Sequence, residues 1–223
     1  MHNIKGEVLI KIFDDTDDIG GYFILSGNER VLITVEDLAS NRFFIQKNKT
    51  GPSTYTAKIF SERGAYRIPH VIEQMKDGIM YITFTKFRRV PIIAVIKALG
   101  LVKDNEINNF VAENEKFDDL FINLYNSMDL KTEDDALEFL AKKAGIIQPK
   151  DTKFEKIKES LDKYLLPHLG ISQKDRVSKA YNLCKLMRRF FVVSSSKGSA
   201  TDKDHYMNKR LRLSGDLMAD LFR

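Results

Sequence analysis

The chain has 223 residues, 43% hydrophobic and 30% charged, with 36 Lys and Arg against 31 Asp and Glu and a formal net charge of +5. That composition supports a buried core and excludes global disorder, and no apolar run approaches the roughly 20 residues that span a bilayer. One cysteine, Cys184, and no tryptophan leave neither a disulfide framework nor a cysteine zinc site open.

The first 85 residues read as strands. Residues 8–13 alternate weakly, and the acidic run Asp14-Asp15-Thr16-Asp17-Asp18 leads through Gly20 and Gly21 into two short apolar stretches at 22–25 and 31–35. Gly27 and Asn28 lie between these stretches and supply the positive φ that a hairpin turn needs. Further strands are predicted at 43–46, 55–60, 66–72 and 80–84, punctuated by Gly51-Pro52, Arg63-Gly64 and Asp77-Gly78. Their regular spacing predicts an antiparallel meander or a small curled sheet.

Helical periods follow. Pro91 opens a helix through Ala98, with Ile92, Val95, Ile96 and Leu99 as its apolar stripe and Gly100 as its C-cap. Weaker periods run over 105–112, 117–125, 132–143 and 153–164, the third with Thr132 as N-cap and Asp135 three residues on. Residues 175–193 carry the strongest helical pattern. Ala180, Leu183, Leu186, Met187, Phe190 and Phe191 share one face, and Lys185, Arg188 and Arg189 the other. Cys184 falls in the apolar pattern and reads as a small buried hydrophobe. Beyond the polar loop 194–201, a last helical stretch is predicted from about Asp204 to the end, with Leu213, Leu217 and Leu221 four residues apart. Strands followed by helices, without βαβ alternation, give an α+β class.

Charge is unevenly spread. Residues 113–135 hold eight acids and two bases, whereas 185–212 hold eight bases and two acids. A cationic C-terminal third fits a polyanion or an acidic protein surface, and equally a solvated helix face. Motifs for chemistry are missing: no phosphate-binding loop, no nucleophile elbow, and four histidines (His2, His70, His168, His205) without metal-ligand spacing. A calcium loop beginning at Asp15 would place Ile19 at its fifth position and lacks the closing Glu, so the acidic run reads as a solvated turn. The residues alone describe a soluble α+β module with a basic C-terminal face.

Two segments carry a resemblance. GGYFILSGNERVLI at 20–33 and DKDHYMNKRLRLSGDL at 202–217 resemble signature stretches of the second-largest subunits of archaeal and eukaryotic-type multisubunit RNA polymerases. Softer matches lie between them, in Pro91-Ile92 with Ala98-Leu99-Gly100 and in LLPHL at 165–169, in the family's order. The departures are minor: Leu25-Ser26 stands where the family has Ile-Asn, and Ser214 where it has Ala.

The resemblance implies a lobe at 41–178 inserted into a discontinuous protrusion formed by 1–40 and 179–223. It implies a part in template-directed nucleotidyl transfer, by a polymerase whose magnesium is bound by the largest subunit. No cofactor and no catalytic residue is then expected in this chain, which alone would be inactive. Implied partners are other RNA polymerase subunits, duplex DNA along the cleft and general transcription factors, in the cytoplasm and without a membrane. Lys185, Arg188, Arg189, Lys203, Lys209, Arg210 and Arg212 are the candidate nucleic-acid contacts, since duplex DNA is held through its phosphates by Lys and Arg. On a helix, Lys209 and Arg212 would share a face. Lys209 and Arg210 also have Asp202, Asp204 and Asp216 nearby as fold-fixing partners, and His205, Gly20 and Gly21 read as structural residues. A standalone nucleic-acid-binding module and a transcription-factor-docking module, using the acidic 113–135 face, are the alternatives.

Overall fold

A computed structural model of the chain describes residues 20–64, 66–113, 115–195 and 198–222. The strand expected at 8–13, the acidic run at 14–18 and His2 lie outside the described residues. The described chain forms two compact units, one taking the residues up to Asp37 together with those from Arg210, the other running Leu38–Lys209. The expected divisions lay at 40/41 and 178/179. The difference at the second arises because the long helix of 176–194 packs into the larger unit.

The larger unit is built on one five-stranded antiparallel sheet in strand order β4-β5-β6-β7-β8. Its strands are β4 (Phe43–Lys47), β5 (Ser53–Arg63), β6 (Tyr66–Met75), β7 (Met80–Phe84) and β8 (Phe87–Pro91). Alternation sets its two faces. Ala57, Ile59, Ile68, Ile72, Met80, Ile82 and Phe84 are buried, while Lys58 and Pro69 between them are exposed. The meander was legible, but β8 was not expected. A β-bulge interrupts its pairing with β7: Ile82 faces Val90 and Phe84 faces Phe87, leaving Arg88 and Arg89 together opposite Thr83. Arg89 has φ 48° there and Thr85 has φ 42°. Left-handed backbone at residues other than glycine costs about 1–3 kcal/mol each.

Helices cover the buried face. They are α1 (Ile92–Ala98), α2 (Asp104–Ala112), α3 (Asp118–Tyr125), α4 (Glu133–Ala144), α5 (Lys150–Tyr164) and α6 (Arg176–Ser194). Every residue of α1 is buried, not just one stripe, because it packs against β7, β8, α4 and α6. Its Lys97 amine is 2% exposed and is satisfied by the carbonyls of Ser127 and Leu130, each at 3.0 Å, and by Asp104 at 2.8 Å. Thr132 is the expected N-cap of α4, the Asp135 side chain returns the bond to complete a capping box, and Gly145 ends that helix in the left-handed conformation.

The segment after α5 is held by two histidines. His70, fully buried on β6, receives the Leu166 N–H at Nε2 at 3.1 Å and lies 3.1 Å through Nδ1 from the Ile68 carbonyl. Nε2 also lies 3.1 Å from the Tyr164 carbonyl, so the ring is enclosed by backbone groups on both nitrogens. His168 bonds Ser61 on β5 at 2.7 Å, and Ser61 Oγ accepts the His168 N–H at 3.3 Å. This Ser–His pair is no nucleophile: Ser61 is wholly buried. The LLPHL stretch therefore serves to seat its turn on the sheet.

The smaller unit contains two short ladders and a helix. β1 (Phe23–Leu25) pairs with β2 (Asn28–Arg30) around Ser26 and Gly27, whose φ values of 52° and 75° are the primed-turn geometry. The hairpin thus closes one strand earlier than expected. β3 (Val35–Leu38) pairs with β9 (Lys209–Arg212), and α7 spans Ser214–Phe222. The single helix expected from Asp204 onward is corrected: Tyr206–Asn208 is a 3₁₀ turn, Lys209–Arg212 is a strand, and only then does a helix begin. Pairing with β3 satisfies backbone groups that an isolated helical turn would have satisfied internally.

Candidate nucleic-acid interface

Helix α6 presents the first group of candidate cations. Its buried face holds Ala180, Leu183, Cys184, Met187, Phe190 and Phe191. Phe190 meets Tyr55 of β5 edge-to-face at 6.4 Å, and Phe191 stacks on Phe117 at 5.5 Å. Burial pushes the Cys184 thiol up to about 12, which keeps it an inert thiol. Lys185 and Arg189 stand exposed on the opposite side. Arg188 is half-exposed and forms an ion pair with Glu113, just past the end of α2. The acidic block thus supplies a partner to the basic one, which charge counting alone does not reveal.

The base of α6 is fixed by buried charge. Arg176 grips Asp162 through two hydrogen bonds of 2.7 and 2.5 Å. Lys179, wholly buried, donates to the carbonyls of Leu161 and Asp162 at 3.1 and 2.6 Å in the last turn of α5. Burial lowers its pKa to about 8, against the pull of Asp162 and Asp175. A cation at a helix C-terminus meets the negative end of the helix dipole. These contacts orient α6 without occupying its exposed cations.

The second group lies on the segment after α6, which runs along β4. Thr201 N donates to the Ile45 carbonyl at 2.9 Å, and Ile45 N returns to Thr201 Oγ1 at 3.3 Å. Asn208 anchors the far end: its side-chain oxygen accepts from Arg42 at 2.8 Å, its carbonyl from Ala39 N at 2.8 Å, and its amide reaches Asp202 O at 2.5 Å. His205 Nδ1 accepts the Met207 N–H at 3.1 Å, and Asp202 caps Asp204 N at 2.9 Å. Asp202, His205 and Asn208 are therefore turn builders. Lys203 and Lys209 are half-exposed, and the Lys209 amine lies 6.0 Å from the Tyr206 ring centre.

Arg210 and Arg212 belong to the smaller unit. Arg212 pairs with Asp220 of α7, not with the nearer acids, while Asp216 caps the Leu213 N–H at 3.0 Å. The shared helical face expected for Lys209 and Arg212 is corrected, because residues three apart on a strand point to opposite faces. Five candidates thus fall in the larger unit, in two groups, and two in the smaller. Exposed Arg88 and Arg89 on β8 escaped the sequence reading, although two adjacent arginines between buried Phe87 and Val90 break strand alternation as a bulge does.

Among the described residues no three His, Cys, Asp or Glu side chains gather to hold a metal ion, and no helix is long and apolar enough to cross a membrane. The model of the family described as RNA polymerase Rpb2, domain 2, matches residues 39–212. The chain belongs to that family. Among curated relatives, the DNA-directed RNA polymerase subunit Rpo2 of Saccharolobus solfataricus is 42% identical over 96% of this chain and 19% of its own length. Subunit Rpo2N of Halobacterium salinarum is 38% identical over 99% of the chain and 44% of its own length, and that of Methanocaldococcus jannaschii 36% over 100% and 46%. The chain spans a fifth to less than half of the length of these relatives. The match identifies it with a part of the second-largest subunit, and the matched range includes both softer sequence anchors and the start of the closing signature.

Proposed function

We propose that this chain forms one wall of the DNA cleft in a cytoplasmic DNA-directed RNA polymerase, holding duplex phosphates while catalysis proceeds elsewhere. The larger unit, α6 included, would be the lobe and the smaller unit part of the protrusion. The observation that carries the reading is the exposed pair Lys185 and Arg189 on α6, set on a rigid buried base in a chain of this family. Lys203, Lys209, Arg210 and Arg212 would add to the same charge. This chain would take no part in the bond-making step of nucleotidyl transfer. That step would use magnesium bound by the largest subunit, and other polymerase subunits and general transcription factors would be neighbours.

The test is duplex binding by the full chain as salt is raised. Removing one cation that neutralises a phosphate lowers the slope of log K against log salt by about 0.9. The double variant Lys185→Ala/Arg189→Ala is expected to lower it by about 1.8. A chain with no affinity for duplex DNA at about 50 mM salt would overturn direct contact.

A further inference from the structure

The outer face of the sheet carries a second cationic site that none of the seven candidates touches. The bulge in β8 puts two consecutive arginines on one side of a strand, where regular pleating would have sent one inward. Arg89 N–H, unpaired by the ladder, donates to Thr83 Oγ1 at 3.1 Å. That leaves the Thr83 hydroxyl proton free to donate outward. Arg88 has no ion-pair or hydrogen-bond partner among the described residues, and Arg89 has a loose one in Glu73 at 3.7 Å. Val71, Glu73, Thr83, Thr85, Arg88 and Arg89 line a shallow depression of about 500 Å³.

The register extends this site across the sheet. Lys58 faces Val71, Val71 faces Thr83, and Thr83 faces the bulge. All lie on the outer face, in a row of roughly 14 Å over four strands. Three cations and the threonine hydroxyls stand against one carboxylate. A row of that length reaches about two or three successive phosphates of a duplex strand. The backbone at Arg89 is held at φ 48°, where a glycine would sit without strain. That backbone is what turns both guanidiniums to the outer face.

We propose that Arg88 and Arg89 on the β8 bulge, with Thr83 and Lys58, form a phosphate-backbone site for duplex nucleic acid on the outer face of the sheet. This rests on the cleft-wall reading and adds a surface to it. No base reading is implied: guanidiniums and hydroxyls across a flat sheet hold backbone without selecting sequence.

The experiment measures binding of a fluorescein-labelled duplex to the full chain between about 50 and 200 mM salt. Arg88→Ala/Arg89→Ala is expected to weaken binding roughly tenfold or more and to lower the salt slope by about 1.8. Arg89→Gly is expected to raise the melting temperature, since it relieves the positive φ, while still weakening binding. A position serving only the fold would leave binding unmoved. If the Lys185/Arg189 variant lowers the slope and the bulge variants do not, the bulge proposal fails alone. If the bulge variants lower it and the α6 variant does not, the bulge stands and the α6 contacts fail. A chain that binds no duplex overturns both. The bulge proposal also fails if its variants lose a labelled poly-glutamate peptide but keep the duplex, because the site would then be built for acidic protein.

Discussion

The two units differ in what holds them. The larger has a continuous core running from β4 through α6, and even its buried cations and histidines are satisfied: Lys97, Lys179 and His70 each reach backbone partners. In the smaller, no described residue is buried, and Ile24, Val31, Ile33, Leu221 and Phe222 are all more than 60% exposed. Two-stranded ribbons of three and four residues are marginal in water by themselves. The two halves of the polymerase signature therefore do different physical work. The GGYFILSG stretch makes a primed hairpin turn, whereas DKDHYMN is a hydrogen-bonded turn that ties the return segment to Ala39 and Arg42, just ahead of β4.

If that contrast is right, the largest effect of any single change belongs to the larger unit's core. Phe190→Ala removes a fully buried ring that joins α6 to Tyr55. The expected loss is about 3–5 kcal/mol in the chain's cooperative unfolding by denaturant. A loss below about 1 kcal/mol would mean that α6 is not part of that core.

Next comes acid sensitivity. Burial pushes the His70 imidazole down to about 4, and nearby His168 and Lys179 add to the effect while two backbone hydrogen bonds oppose it. Unfolded, the ring takes its proton near 6.5. Between pH 6.5 and 4 the unfolded chain thus holds a proton that the folded one refuses, so stability falls as pH drops through that window. The full contribution is about 3 kcal/mol. Protonation would also turn Nε2 from the acceptor of the Leu166 N–H into a donor to the Tyr164 carbonyl. His168, also lowered by burial, adds the same sign. His70→Gln is expected to flatten most of this dependence in melts recorded from pH 7 to about 4, and an unchanged slope would remove His70 from the account.

Much of this contrast was legible in residue patterns, and the misses have physical reasons. Three of the larger sheet's five strands alternate, and Thr132 marks the start of α4 three residues before Asp135. β8 was hidden because its bulge puts Arg88 and Arg89 side by side, erasing the period that marks a strand. β9 was hidden because Lys-Arg-Leu-Arg has no apolar face, and its partner β3 lies more than 170 residues earlier. Lys97 and Lys179 both thread inward to carbonyls at the ends of neighbouring segments, which charge alone does not reveal. The family was readable from two anchors. The cation set was less so, because whether Arg188 is available depends on Glu113, a partner that only folding brings near.

The smallest expected effect is the sharpest probe of the smaller unit. Ile33, 76% exposed, lies between β2 and β3. Ile33→Ser removes apolar surface that water already reaches, so the transition of the larger unit should move by no more than about 0.5 kcal/mol. The same substitution at a buried isoleucine such as Ile82 would cost several times that. A shift of about 2 kcal/mol for Ile33→Ser would show that this side chain is covered in solution. The contrast between a packed unit and an open one would then be wrong for β2 and β3. An unmoved transition leaves Ile33 outside the cooperative stability of the larger unit, as its exposure requires.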